Sequence, residues 1–209
     1  MNTTNPSRSL PSSLKKREGN PEPVFVSLAT FEPELAESKA AMAFWRELPR
    51  VPGRAPLKSD CDLLEIVDLL TGCLMIELEG PTSWPIRMFG SDLVTHFGID
   101  ATGFNGYDLY GPDEREDVAA RLAIQRSRQA VMITQNRLRN AHDVALRSEW
   151  VFLPFASDDG DVDRLLVSIA SFDQAPAYED WELEGSLQDR RLLSLIYASD
   201  TAGEKQGPQ

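Results

Sequence analysis

Residues 84–109 decide the fold: Trp-Pro-Ile-Arg-Met-Phe-Gly-Ser-Asp-Leu-Val-Thr-His-Phe-Gly-Ile-Asp-Ala-Thr-Gly-Phe-Asn-Gly-Tyr-Asp-Leu. A short strand pattern ends at Gly90, one helical turn follows and ends at Gly98, and a third glycine, Gly103, comes five residues later. We expect these glycines to supply positive φ angles or close backbone approaches. Their spacing matches no phosphate loop, and no nucleophile elbow is present. The stretch therefore predicts a chain folded around a small space, which favours sensing or docking over catalysis.

The flanking patterns predict an α+β fold with a five-stranded antiparallel sheet. Helices are predicted over residues 33–48, 60–70 and 113–129, and a further one around residues 178–197. Strands are predicted over residues 73–79, 84–89, 130–139, 144–156 and 164–172. Hairpin-length connections join the last three strands, so these should be antiparallel. The period-two positions that we expect to be buried are Leu74, Ile76, Ile86, Ile133, Phe152, Val167 and Ile169.

Composition limits the function classes. The 209 residues suit one domain with tails, and a hydrophobic share of 42% is enough for a core. The net charge of −12 repels nucleic acid and anionic membrane. No apolar run is long enough to span a bilayer, and the start of the chain has no signal-peptide pattern, so we expect a cytoplasmic protein.

Metal binding is not expected. Cys61 and Cys73 have no Cys-x-x-Cys spacing and no clustered histidine, so we interpret them as buried thiols of a reduced compartment. The acidic residues of 158–163 resemble only the first half of a calcium loop, because no glutamate stands at the twelfth position. This segment is predicted to be a solvated turn.

Four segments resemble one family. They are Phe-Trp-Arg-Glu-Leu-Pro at 44–49, the acid-and-leucine helix at 60–70, Ile-Arg-Met-Phe-Gly-Ser at 86–91 followed by Phe-Gly-Ile-Asp-Ala-Thr-Gly at 97–103, and Phe-Leu-Pro at 152–154. Together these resemble the PAS domain superfamily, in particular its branch of small, often single-domain proteobacterial proteins. The resemblance covers roughly residues 40–173. It implies a PAS-like sheet with short helices and one long helix on one face, and a sensing or docking role without catalytic residues.

Composition and the resemblance together suggest how the chain is divided. Residues 1–23 are predicted to be a disordered tail and residues 24–58 an N-terminal helix with a proline-rich linker. Residues 59–173 would form the PAS-like domain, and residues 174–209 a C-terminal helix and polar tail. Light-sensing PAS domains that bind flavin carry a cysteine on the helix after the second strand, in an Asn-Cys-Arg-Phe-Leu-Gln-like run. Here residues 91–96 read Ser-Asp-Leu-Val-Thr-His, so we expect no cofactor and a colourless protein.

The hypothetical cavity has five candidate residues. Arg87 is either an anchor for a carboxylate ligand or a rim arginine that pairs with Glu77 or Glu79 across the hairpin. His96 is either an axial haem ligand or a partly exposed histidine on a short helix. The aromatic candidates either line a ligand pocket or fill it, and they are Phe97, Phe104 and Tyr107, with Tyr110 beside them.

The N-terminal helix predicts an assembly. Phe44 and Trp45 are large apolar residues that must be buried either on the outer face of their own sheet or against a second copy. Both faces of the strand at residues 150–155 are apolar and need a cover, so we predict a homodimer with this helix near a two-fold axis. The predicted function is a cytoplasmic regulatory module that senses a small molecule or docks a signalling partner, with no output domain of its own. The alternatives are a small enzyme that uses the cavity as its active site, and a purely structural dimerisation module.

Overall fold

The computed structural model describes residues 25–27, 32–139, 145–173 and 191–197. The strands are β1 (Phe25–Ser27), β2 (Cys73–Glu77), β3 (Ile86–Phe89), β4 (Val131–Arg139), β5 (Ala145–Ala156), β6 (Val162–Ser171) and β7 (Arg191–Tyr197). The helices are α1 (Ala36–Glu47), α2 (Val67–Leu70), α3 (Ser91–Phe97) and α4 (Pro112–Arg128). In these residues the strands form one sheet with the order β1-β7-β4-β5-β6-β2-β3.

The predicted five-stranded antiparallel sheet is confirmed and is formed by β4, β5, β6, β2 and β3. The period-two pattern works here because alternate side chains of a strand project from opposite faces. All seven positions that we expected in the core are at most 8% exposed. The fold is therefore α+β and PAS-like, with helices on both faces of the sheet.

The prediction of a helix around residues 178–197 is wrong for its last part. Residues Arg191–Tyr197 form β7, which pairs antiparallel with β4 and parallel with β1. The segment Arg-Leu-Leu-Ser-Leu-Ile-Tyr is a short apolar run, which periodicity alone cannot assign to helix or strand. The edge of β4 decides the matter, because it offers the backbone hydrogen-bond partners that a strand needs. Residues 178–190 lie outside the described residues.

The predicted long helix is confirmed as α4. Pro112 occupies its first turn, where a missing N–H costs nothing, and Gln129 ends it in the left-handed conformation. The helix predicted at residues 60–70 is instead two short 3₁₀ turns followed by the single turn α2. In this segment Asp62 caps the second 3₁₀ turn by accepting a hydrogen bond from the Leu64 N–H.

Helix α1 packs on its own sheet, against β5 and β6. Trp45 is fully buried, and its Nε1 donates to the Pro154 carbonyl of β5 at 2.8 Å. Phe44 is half-buried against the same core. Two surfaces were expected to bury the apolar side of this helix, and the structure shows that it is buried against the outer face of its own sheet. Trp45 is a core residue and not part of an exposed dimer surface, whereas the homodimer itself stays a prediction that light scattering can test.

Candidate ligand site

The glycines of the quoted stretch act in the two ways expected of them. Gly90 joins β3 to α3 at a close approach, because a Cβ added there would lie 2.2 Å from the Thr71 carbonyl oxygen. Gly98 and Gly103 have φ angles of 68° and 85°, which favour glycine. The Gly103 N–H donates to the Ile86 carbonyl at 2.8 Å, so the loop closes against β3.

Arg87 lies at the rim of the sheet. Its Nε is 2.5 Å from Glu77 Oε2, its Nη2 is 2.8 Å from Glu79 Oε1, and half of its side chain is exposed. Arg164 pairs with Glu77 from the other side. The hydrogen bond from Arg87, supported by that from Arg164, lowers the pKa of the Glu77 carboxyl. The structure therefore has the rim alternative, in which Arg87 holds a surface ion pair.

The other predicted cavity residues do not enclose a common cavity. His96 on α3 is half-buried with its ring edge-on to Phe97 at 4.8 Å, and burial lowers its pKa. Phe97 is buried in the core, and Tyr107 lies edge-on to Trp84 with the ring centres 5.0 Å apart. Phe104 is 48% exposed. Phe97 and Tyr107 thus contribute to aromatic packing, which matches the alternative in which the aromatic residues fill the cavity.

A recess lies elsewhere, between α4 and the face of β4 and β5 that α1 does not cover. It is lined by Tyr110, Val118, Arg121, Met132, Thr134, Asn136, Trp150 and Phe152, and by none of the five predicted cavity residues. Counted with the open solvent at its mouth, it encloses about 310 Å³, of which about 20 Å³ can take the centre of a water molecule. One water needs about 10–15 Å³ of such space. The recess therefore has room for one or two waters or for one small polar group.

The floor of the recess changes from apolar to polar along the strands. The floor is formed by Met132 paired with Phe152, by Thr134 paired with Trp150, and by Asn136, whose cross-strand partner is Ser148. The Asn136 amide donates to Thr134 Oγ1 at 3.0 Å, and Trp150 Nε1 donates to Ser148 Oγ at 2.9 Å. These groups are hydrogen-bonded to one another, and the Thr134 hydroxyl, which accepts from Asn136, can still donate to a polar ligand group.

Arg121 is the charged residue in the wall of the recess. It is 6% exposed, and its Nε donates to Asp117 Oδ2 at 2.7 Å. Its Nη1 is buried and has no hydrogen-bond partner among the residues that the structure describes. A guanidinium whose Nε is paired and whose Nη1 is buried and unsatisfied can donate a hydrogen bond from Nη1 to an anionic oxygen.

These residues carried a signal that our reading of the sequence did not use. Thr134 and Asn136 are polar residues two apart in a strand, on the face that also carries Met132. Arg121 follows Val118 by three residues, which places both on one side of α4. Polar residues at positions where the period predicts a core are the pattern that could have found the recess.

The predictions about metal binding, cysteines and membrane spans concern residues outside the recess. In the acidic turn, Asp163 pairs with Lys58 at 2.9 Å, and Asp158, Asp159 and Asp161 are exposed. Within the described ranges, no three His, Cys, Asp or Glu side chains are grouped to hold a metal ion. Burial raises the pKa of Cys73 to about 12. Among the described helices, none combines the length and apolar composition that crossing a membrane requires.

Comparison with known families agrees with the PAS-like fold. The family model described as PAS domain matches residues 34–170, which is more than half of the chain. The chain therefore belongs to the PAS domain family, and a sensory or regulatory module is the class of protein that this family defines. No curated protein matches the chain.

Solved structures of PAS and LOV domains are similar to the chain. A Rhodobacter sphaeroides LOV protein is 15% identical with a TM-score of 0.41, and the match covers 55% of this chain and 70% of that one. The PAS domain of a protein from Colwellia psychrerythraea is 14% identical with a TM-score of 0.42, and the match covers 53% of this chain and 98% of that one. The dark structure of the blue-light photoreceptor Aureochrome1 LOV is 14% identical with a TM-score of 0.41, and the match covers 55% and 85%.

Proposed function

We propose that the chain is a cytoplasmic sensory module without a catalytic step. A small molecule enters the recess between α4, β4 and β5, and its presence is passed through β5 to α1 on the other face of the sheet. From α1 the signal reaches a signalling partner. Membership of the PAS domain family supports the sensory class. The route from the recess to α1 is supported by β5, which lines the recess on one face of the sheet and binds the start of α1 on the other.

That attachment is the observation on which the proposal depends. Trp150 of β5 lines the recess, and the next residue back, Glu149, projects from the opposite face. Glu149 is fully buried, and its two carboxylate oxygens accept hydrogen bonds from the Glu34 and Leu35 N–H groups, both at 3.0 Å. These amides stand directly before α1, whose N-cap residue Leu35 makes no side-chain cap of its own. A displacement of β5 by a ligand at Trp150 would therefore act on the start of α1.

The test combines ligand retention with amide hydrogen exchange. Val118→Phe fills the recess from α4, whereas Ala123→Phe places the same ring on the exposed side of the same helix. We expect native mass spectrometry of the gently purified chain to find a small molecule on the wild type and on Ala123→Phe, but not on Val118→Phe. Circular dichroism is the check that both variants are folded.

Exchange protection then tests the route to α1. Binding should slow exchange at β4 and β5 and should change it at the first turn of α1. Replacing Glu149 with Gln puts an amide NH₂ where one of the backbone N–H groups needs an acceptor, so it should uncouple α1 from the recess. A ligand that leaves exchange in α1 unchanged would contradict the proposed route. Equal retention by Val118→Phe and the wild type would contradict the proposed site.

A further inference from the structure

Arg121 carries a charge into a largely closed part of the molecule. Its side chain is 7% exposed, whereas that of its ion-pair partner Asp117 is 34% exposed. The pair joins Nε to the carboxylate, which leaves Nη1 buried without a partner among the described residues. Buried polar groups are almost always hydrogen-bonded, and an unmet charged donor is among the most unfavourable exceptions. A bound anion at Arg121 would remove that cost.

The surrounding wall restricts which anion fits. Thr134 and Asn136 supply polar groups to the same recess, whereas Met132 and Phe152 make one end of its floor apolar. The Thr134 hydroxyl accepts from Asn136, so its own hydrogen remains available for donation. An anion with an apolar body matches both ends of the recess.

We propose that the recess binds a small organic carboxylate, with its carboxylate group on Arg121 and its apolar part toward Met132 and Phe152. A planar guanidinium matches a planar carboxylate, which accepts hydrogen bonds through two oxygens. Phosphate fits less well, because it brings about two negative charges to a guanidinium that already shares its charge with Asp117. The space of about 20 Å³ for water centres takes a carboxylate group, and the apolar part of the ligand occupies more of the about 310 Å³ that the recess encloses together with open solvent.

This inference rests on the proposed sensory function, because it names the ligand class for the same recess. The test is calorimetric titration of the full chain with acetate, propionate and benzoate, each beside its neutral amide, and with inorganic phosphate as a separate arm. We expect saturable binding of at least one carboxylate and none of its amide. Thermal melting with the same compounds gives an independent readout.

Two arginine variants show where the carboxylate binds. Arg121→Met keeps the length of the side chain without its charge, and it should weaken binding by at least about tenfold. Arg87→Met removes an arginine from the exposed rim and should leave binding unchanged. If Arg121→Met does not fold, Thr134→Val provides a second test. It removes the hydroxyl from the recess while nearly keeping the shape of the side chain, and it should weaken carboxylate binding.

The outcomes separate the two proposals. Equal carboxylate binding by Arg121→Met and the wild type would overturn the inference, as would a preference for phosphate or an absence of carboxylate binding up to millimolar concentration. If the neutral amides bind and Val118→Phe blocks them, the sensory function stands and only the carboxylate is wrong. If no carboxylate or amide binds and native mass spectrometry finds no small molecule on the wild type, both proposals fail.

Discussion

Replacing Gly90 with Ala should destabilise the fold through a backbone collision alone. Gly90 has φ −65° and ψ 152°, which alanine adopts freely, so no dihedral strain is involved. The added Cβ would lie 2.2 Å from the Thr71 carbonyl oxygen and 2.3 Å from that of Leu70, whereas ordinary contact begins at 3.4 Å. Both obstacles are backbone atoms, so neither can rotate away, and the turn before β2 must move away from the start of α3.

The magnitude follows from what this movement breaks. Overpacking of this kind costs roughly 1–3 kcal/mol. The movement also strains the hydrogen bonds from the Gly90 N–H to Cys73 O and from the Asp92 N–H to Thr71 O, which are 2.8 and 2.9 Å long. At about 1 kcal/mol for each bond, the free energy of unfolding should fall by roughly 3–5 kcal/mol in total.

Urea unfolding, followed by tryptophan fluorescence, measures the effect. With a slope of roughly 2 kcal/mol per molar, the midpoint should fall by about 2 M. The control is Gly80→Ala, because a Cβ there meets nothing within 4 Å, and its cost should stay within about 0.5 kcal/mol. If the two variants unfold at the same urea concentration, the close approach at Gly90 does not exist as described.

Three further predictions concern buried groups. Trp45→Phe should lower the free energy of unfolding by roughly 2–4 kcal/mol in urea, because it leaves a gap and removes the donor to the Pro154 carbonyl. Cys73 should react with a thiol reagent only on unfolding, whereas the more exposed Cys61 should react slowly in the folded protein, because burial raises the pKa of both thiols. Equal rates of modification of the two cysteines, followed by mass spectrometry, would contradict this. The pKa of His96 lies below its ordinary 6.5 in the folded state, so the unfolded state binds more protons and stability should fall as the pH drops below about 6.5. Urea melts across this range should show less of that fall in His96→Asn.

The fold could be predicted from the sequence wherever neighbouring residues set the period. Ile133 and Val167 belong to strands with clear alternation, and both are fully buried. The helix α4 carries its own start signal in Pro112. Residues 191–197 lack such signals, and their strand depends on the free edge of β4, which is a partner far away in the sequence. Local patterns predict local structure, and they fail where a distant edge supplies the hydrogen bonds.

The candidate site was harder to predict, because the local sequence around two arginines did not show which of them would be buried. Arg87 stands between apolar residues in a strand, which left both a cavity and a rim position open, and because β3 is an edge strand its arginine turns to the carboxylates of its own hairpin. Arg121 stands in a helix rich in charge and was not among our candidates, yet it is nearly buried against β4 and β5. Periodicity assigns a residue to a face, but what lies across from that face is decided by strand order and by helix packing. The chemistry of a charged side chain in this fold therefore follows from the groups that tertiary contacts bring to it, and the unsatisfied Nη1 of Arg121 could be recognised only after those contacts were known.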